Sequence, residues 1–265
     1  MLKTASGSHL LITMQTTLHF LRSVLAYLVL SVATFFMLQM VFDYASFRTD
    51  IDFLKYKQAY IGIPLWRMSF YTHIFSSVLA LAAGFTQFSP GLLKKHRKWH
   101  RVVGWIYATD ILVINFPVGM VMAVYANGLL PTKIAFVLLD SVWFLFTYKA
   151  VVAARKGRFA EHKRFMIRSY AMTFSAITLR TWKIVLGHLF HPDPLSLYMT
   201  DAWMGFIPNL LFAEWWIRLR ISHPAKADIA DKHQEEQPCQ DSYKGENKSD
   251  NLKSPSAPIP DSVPD

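Results

Sequence analysis

Long apolar runs alternate with short polar segments along the first 220 residues, and the pattern stops after Arg220. Six runs have membrane-spanning length: 18–42, 68–88, 102–125, 134–154, 165–189 and 197–217. A span needs roughly 20 apolar residues to cross the hydrocarbon core at ~1.5 Å rise per residue. The first run is broken only by Arg22 and a few uncharged polar residues. The last two carry Arg168, Arg180, Lys183 and Glu214. They still read as spans, because a bundle can shelter polar groups from lipid. The pattern predicts an all-α polytopic membrane bundle over 18–220, preceded by a short segment at 1–17. Residues 221–265 are polar, acidic and rich in proline. They carry too little apolar surface to offset their ordering entropy, which predicts a disordered tail.

The loops predict an orientation. Loop 89–101 holds five Lys/Arg and no acid, and loop 155–164 holds five Lys/Arg against Glu161. The alternate loops are poor in base: 126–133 has only Lys133, and 188–196 has Asp193 alone. The positive-inside rule places the basic loops in the cytoplasm, and with six spans both termini join them at a bacterial inner membrane. Loop 43–67 is then external, with room for a short amphipathic segment. Trp66, Trp99, Trp105, Trp182, Trp203, Trp215 and Trp216 lie near span ends, where an aromatic belt belongs. The first run is too long for a signal peptide and lacks a small-x-small cleavage site, so it is expected to stay as a span.

Composition adds two exclusions. The 265 residues are 52% hydrophobic and 17% charged, with a net charge of +10. Five basic and nine acidic residues follow Arg220, so the positive excess lies among the apolar runs. Basic clusters between spans fit anionic lipid at the inner face better than nucleic acid. The only cysteine, Cys239, is in the tail, which excludes an intramolecular disulfide and a cysteine-ligated centre. No Walker, dinucleotide-binding or nucleophile-elbow motif is present.

Several stretches carry a family resemblance: "YTHIF" (71–75), "GFTQF" (84–88), "KWHRVVGWIYATD" (98–110), "YANG" (125–128), "EHKRFMIRSYAMTFSAITLRTWK" (161–183) and "NLLFAEW" (209–215). Over roughly residues 60–217 the chain resembles a bacterial family of predicted membrane proteins, domain of unknown function 2306. The segment 162–183 is the most specific part. The resemblance implies a multi-pass membrane protein and brings no settled activity. More loosely, the layout of histidines resembles di-haem cytochrome b bundles, which is an analogy of architecture alone.

An ionisable group inside a span costs ~2.5–3.5 kcal/mol on insertion scales, so each asks for a partner or a role. Near the inner face lie Gln87, His96, His100, His162, Arg168 and Glu214. His100, His162 and Glu214 can be read as divalent-metal ligands. The two histidines can also be read as axial ligands of one haem b, or as interfacial residues touching lipid phosphate or water. His96 and His100 have the i, i+4 spacing of a helical metal pair, yet five positive charges around them repel a cation. Only His100 matches the family pattern, as H-R-x-x-G. Towards the outer face lie His73, Asp140, Arg180, Lys183 and His188. Their depths predict an Asp140–Arg180 ion pair with His73 nearby, either locking the bundle or serving a ligand or proton. His73 is also a candidate haem ligand, but a second haem lacks a matched outer histidine pair; His188 or His191 would be shallow. Asp110 falls near mid-membrane, as a helix-packing residue or a proton relay. Pro117 and Gly119 on its helix predict a kink.

Three functions remain open on this pattern: a haem-binding redox membrane protein, a proton-coupled transporter of a small solute, and a non-catalytic protein that binds lipid or a partner.

Overall fold

The structure, a computed structural model, describes residues 3–88, Leu93 and 95–221. The chain divides after Ile217 into two units, and the first holds the helical bundle. The tail expected to be disordered lies outside the described residues. Every described element is helical. A long α1 (Lys3–Tyr44) leads through a 3₁₀ turn (Asp52–Lys57) and α2 (Gln58–Ile61) to α3 (Pro64–Gln87). Next come α4 (Arg97–Thr109), a π-helix (Asp110–Asn115) and α5 (Phe116–Val124), which follow one another without a break. A hairpin leads to α6 (Leu130–Arg155), then α7 (Phe159–Thr173), α8 (Ser175–Phe190), α9 (Pro194–Met204) and α10 (Ile207–Ile221).

Helices therefore cover all six apolar runs. Three stretches, Phe20–Tyr44, Arg97–Val124 and Leu130–Arg155, are long and apolar enough to cross a membrane by themselves. The fifth and sixth runs are each two helices rather than one. One break falls at Phe174 and the other at Gly205–Phe206. The two breaks are tied together by polar side chains: Thr178 donates to the Gly205 carbonyl. Asn209 Nδ2 donates to the Ala171 carbonyl at 3.2 Å and to Thr178 Oγ1 at 2.9 Å.

Helix starts follow local sequence. Proline opens α3, α6 and α9 in the first turn, where its missing N–H costs nothing. Asp193 caps α9 by accepting from the Ser196 N–H at 2.9 Å. Gly128 and Gly157 take φ of 87° and 70° at the turns flanking α6, a conformation that glycine adopts without strain.

The packing is inverted relative to a protein in water. Leu25, Phe35, Phe36, Val113, Leu138, Leu145 and Phe212 face outward, whereas Asp110, Asn115, Thr132, Asp140, Thr147, Ser169 and Asp201 are buried. Such a surface suits hydrocarbon and would aggregate in water. Small residues let the helices approach: Ala80, Ala83, Ala108, Ala135, Ala150 and Ala202 are all buried. At Gly84 a side chain would overlap the Tyr170 phenol, which instead donates across to the Leu81 carbonyl at 2.7 Å.

One end of the bundle carries a cap. Tyr44, Leu54, Trp66 and Phe70 form its apolar centre. Lys57 passes through this layer, 2% exposed. Its Nζ donates to the Tyr125 carbonyl at 2.6 Å and to Asn127 Oδ1 at 2.8 Å. The Phe53 and Tyr60 rings lie 5.5 and 5.1 Å from the ammonium. The lysine thus staples the 52–57 turn to the 125–128 hairpin. Burial, followed by the nearby charge of Lys133, pushes its amine down to about 8 from 10.5. The folded state then binds this proton less tightly than the unfolded chain. The Lys57 contribution to stability is fully present above 10.5 and is lost as pH falls through about 8. Thermal unfolding of the detergent-purified protein between pH 7.5 and 10 should show that rise against a Lys57→Met variant. The variant should also be weaker by about 1–3 kcal/mol, since it orphans the Tyr125 carbonyl and Asn127.

Candidate functional site

The interior site is built on the π-helix. The Phe116 N–H reaches back five residues to the Ile111 carbonyl. Pro117, one residue on, has no N–H, and its ring excludes the carbonyl four residues before it. The wider turn accommodates this. It also changes which side chains share a face. In an α-helix, residues five apart point about 140° away from each other. The i→i+5 bonding of a π-helix returns them to one side, so Asp110 and Asn115 converge.

Both are sealed from the surface, with Asp110 2% and Asn115 0% exposed. Ser76 from α3 and Asn115 approach the Asp110 carboxylate. Asn115 also faces His73 of α3, and Arg180 of α8 lies within electrostatic reach of that histidine. None of these approaches closes into an aligned bond. Among the described residues, His73 Nδ1, Ser76 Oγ, both Asp110 oxygens and both polar atoms of the Asn115 amide have no hydrogen-bond partner. Buried polar groups are nearly always paired, so a concentration of orphans in one place is informative.

The neighbouring layer shows that the fold can satisfy such groups. Tyr107, one turn before Asp110, bonds Ser169 Oγ at 2.7 Å and Thr173 Oγ1 at 2.9 Å. Trp143 Nε1 donates to Thr173 Oγ1 at 3.1 Å. Thr147 Oγ1 shares a bond with Ser169 Oγ at 2.7 Å and donates to the Trp143 carbonyl at 2.8 Å. No side-chain oxygen or nitrogen of this network is among the orphans. Two polar layers therefore sit side by side, one closed and one open.

The other expected residues distribute differently from the sequence pattern. The Asp140–Arg180 ion pair does not form. Asp140 is buried on α6 against Gly119, where a side chain would meet both carboxylate oxygens at 2.9 Å. Arg180 turns to Met40 Sδ at 3.2 Å and to the Ala176 carbonyl one helical turn back. Their depths agree, but their helix faces differ, and depth alone could not show that. Lys183 is exposed over the Tyr56 ring at 5.9 Å. It also lies within reach of the buried Asp201.

At the basic-loop end, His100 and His162 come within electrostatic reach of each other. His162 Nδ1 meets the Ala150 carbonyl at 2.9 Å, and His100 Nδ1 is buried without a partner. Glu214 does not complete a metal triad with them. It forms a two-pronged pair with Arg168, Nη2 to Oε2 at 2.9 Å. Among the described residues, no three His, Cys, Asp or Glu side chains gather closely enough to hold a metal ion. His96 precedes α4 and stays exposed. Ser76, Asn115 and Lys57 were not singled out by the sequence pattern. The "NFP" of 115–117 was the available signal for Asn115, a polar residue next to a helix-disrupting proline.

Apolar surface outside, polar groups inside and long lipid-length helices define an integral membrane protein. Residues 70–217 match the family described as predicted membrane protein (DUF2306), and the chain belongs to that family. No curated protein and no solved structure matches. The matched region contains both polar layers and both helix breaks, and begins after α1.

The Arg168–Glu214 pair yields a stability test. Both side chains are partly buried, so Glu214→Gln should cost less than the ~3–5 kcal/mol of a fully buried pair, about 2 kcal/mol. A double-mutant cycle with Arg168→Met, read by thermal unfolding, measures the coupling.

Proposed function

We propose that the protein is a proton-coupled transporter of a small solute, with Asp110 as the carboxylate that takes up and releases the proton. The supporting observation is the open polar layer at the π-helix, set beside a closed one in the same bundle. A group that gains or loses charge there changes which partners Ser76 and Asn115 prefer. His73 and Arg180 continue the polar groups towards the Lys57 end, and Tyr107 continues them the other way. Single-turn π-helices within α-helices are frequent at functional sites. In this reading both termini face the cytoplasm of a bacterial inner membrane. Lys95, Arg97, Lys98 and Arg101, all exposed, then meet anionic lipid. Proteoliposomes carrying a pH dye should show solute-evoked proton entry across a panel of organic acids, amines and sugars. Asp110→Asn should lower that entry at least tenfold; equal flux in variant and wild type would remove Asp110 from the mechanism.

A second reading has one observation in its favour. His100 and His162 lie within electrostatic reach of each other, and His162 Nδ1 contacts a carbonyl, the bond that orients a haem-ligating imidazole through its other nitrogen. On the other side His73 faces Asn115 rather than a histidine, so this reading is limited to one haem at the basic-loop end. Protein expressed with ample haem should then purify with a Soret band that His162→Ala abolishes, and a colourless wild-type preparation would end it.

A further inference from the structure

We propose that the open layer is a binding site for a dehydrated alkali cation, held by the oxygens of Asp110, Asn115 and Ser76 in competition with a proton. This rests on Asp110 as the exchanging carboxylate and adds what it exchanges with. Four oxygens meet here: two from Asp110, one from the Asn115 amide and one from the Ser76 hydroxyl. All are buried and none has a hydrogen-bond partner among the described residues. A proton on Asp110 neutralises the charge and adds a single O–H donor to the cluster. A cation takes all four at once. Hard oxygen donors select alkali and alkaline-earth ions over transition metals. The charge count then selects the monovalent class: one carboxylate balances one positive charge, and no group of three acidic or imidazole ligands is present among the described residues. Arg180, within reach of His73, makes a second uncompensated positive charge still less favourable.

The π-helix is what makes the ligand set. Asp110 and Asn115 would diverge on an α-helix, and Ser76 comes from a different helix, so the site exists only while α3 and the π-turn are packed together. His73 faces the Asn115 amide, which gives the histidine a positioning role. The ionisable groups around the carboxylate are Tyr107 on its own helix, His73 from α3 and Arg180 from α8. Packed α6 contributes Asp140, which lies against Gly119.

Thermal unfolding of the full-length protein in detergent tests this, with sodium chloride exchanged for choline chloride at constant ionic strength. Sodium should raise Tm in a saturable way, and the half-effect concentration should rise as pH is lowered from 9 to 6. Ser76→Ala should weaken the apparent affinity at least tenfold, and Asp110→Asn should abolish the shift. Ser76→Ala alone keeps the test decisive if Asp110→Asn does not fold. A Tm indifferent to sodium at every pH, or a sodium shift undiminished in both variants, overturns the proposal. If sodium has no effect while Asp110→Asn still abolishes proton entry, only the cation assignment falls. If the sodium shift depends on Asp110 but proton entry does not, the transport reading falls and the cation site stands.

Discussion

Hydrocarbon offers a polar group nothing to bond to, and the whole interior of this bundle answers to that constraint. Backbone groups are satisfied within helices, and polar side chains must find one another across helices. Tyr170 reaches the Leu81 carbonyl because Gly84 leaves room for its ring. Tyr107, Ser169, Thr173, Thr147 and Trp143 close into a set in which each hydroxyl serves a neighbour. Such closure fixes helix rotation as well as distance, since a hydrogen bond tolerates little misalignment.

Against that background the π-helix is the place where the constraint is relaxed. One extra residue in the turn moves Asn115 onto the Asp110 face and frees the chain from a clash at Pro117. The cost is a cluster of polar atoms without internal partners, next to a layer in which every such atom is satisfied. Among the described residues, other orphans, such as Thr132 Oγ1, Asp140 Oδ2 and Asp201 Oδ1, are scattered, whereas six of these atoms gather on His73, Ser76, Asp110 and Asn115. A functional reading follows from that contrast rather than from any single residue.

Helices, their approximate limits and the membrane environment were legible from apolar run length, because ~20 apolar residues have few other uses. The burial of Asp110 and Asp140 was legible from their depth. Their partners were not. Asp140 and Arg180 share a depth, yet partner choice depends on rotation about the helix axis, which a single substituted turn can alter. The π-turn itself shifts the phase of everything after Asp110, so a 3.6-residue periodicity assigns the faces of 111–124 wrongly. Glu214 was matched to histidines by depth, whereas a guanidinium offers a carboxylate two parallel bonds and outcompetes them. Lys57 gave no signal, since a lysine in a mixed-charge loop looks like any surface lysine until its carbonyl acceptors, 68 and 70 residues away, are in place.

The joined breaks at Phe174 and Gly205 have a mechanical meaning. Each divides a rod into two struts, and a strut end is free to pivot. Thr178 and Asn209 pin the two joints to each other. Bending at one break therefore strains the bonds that hold the other.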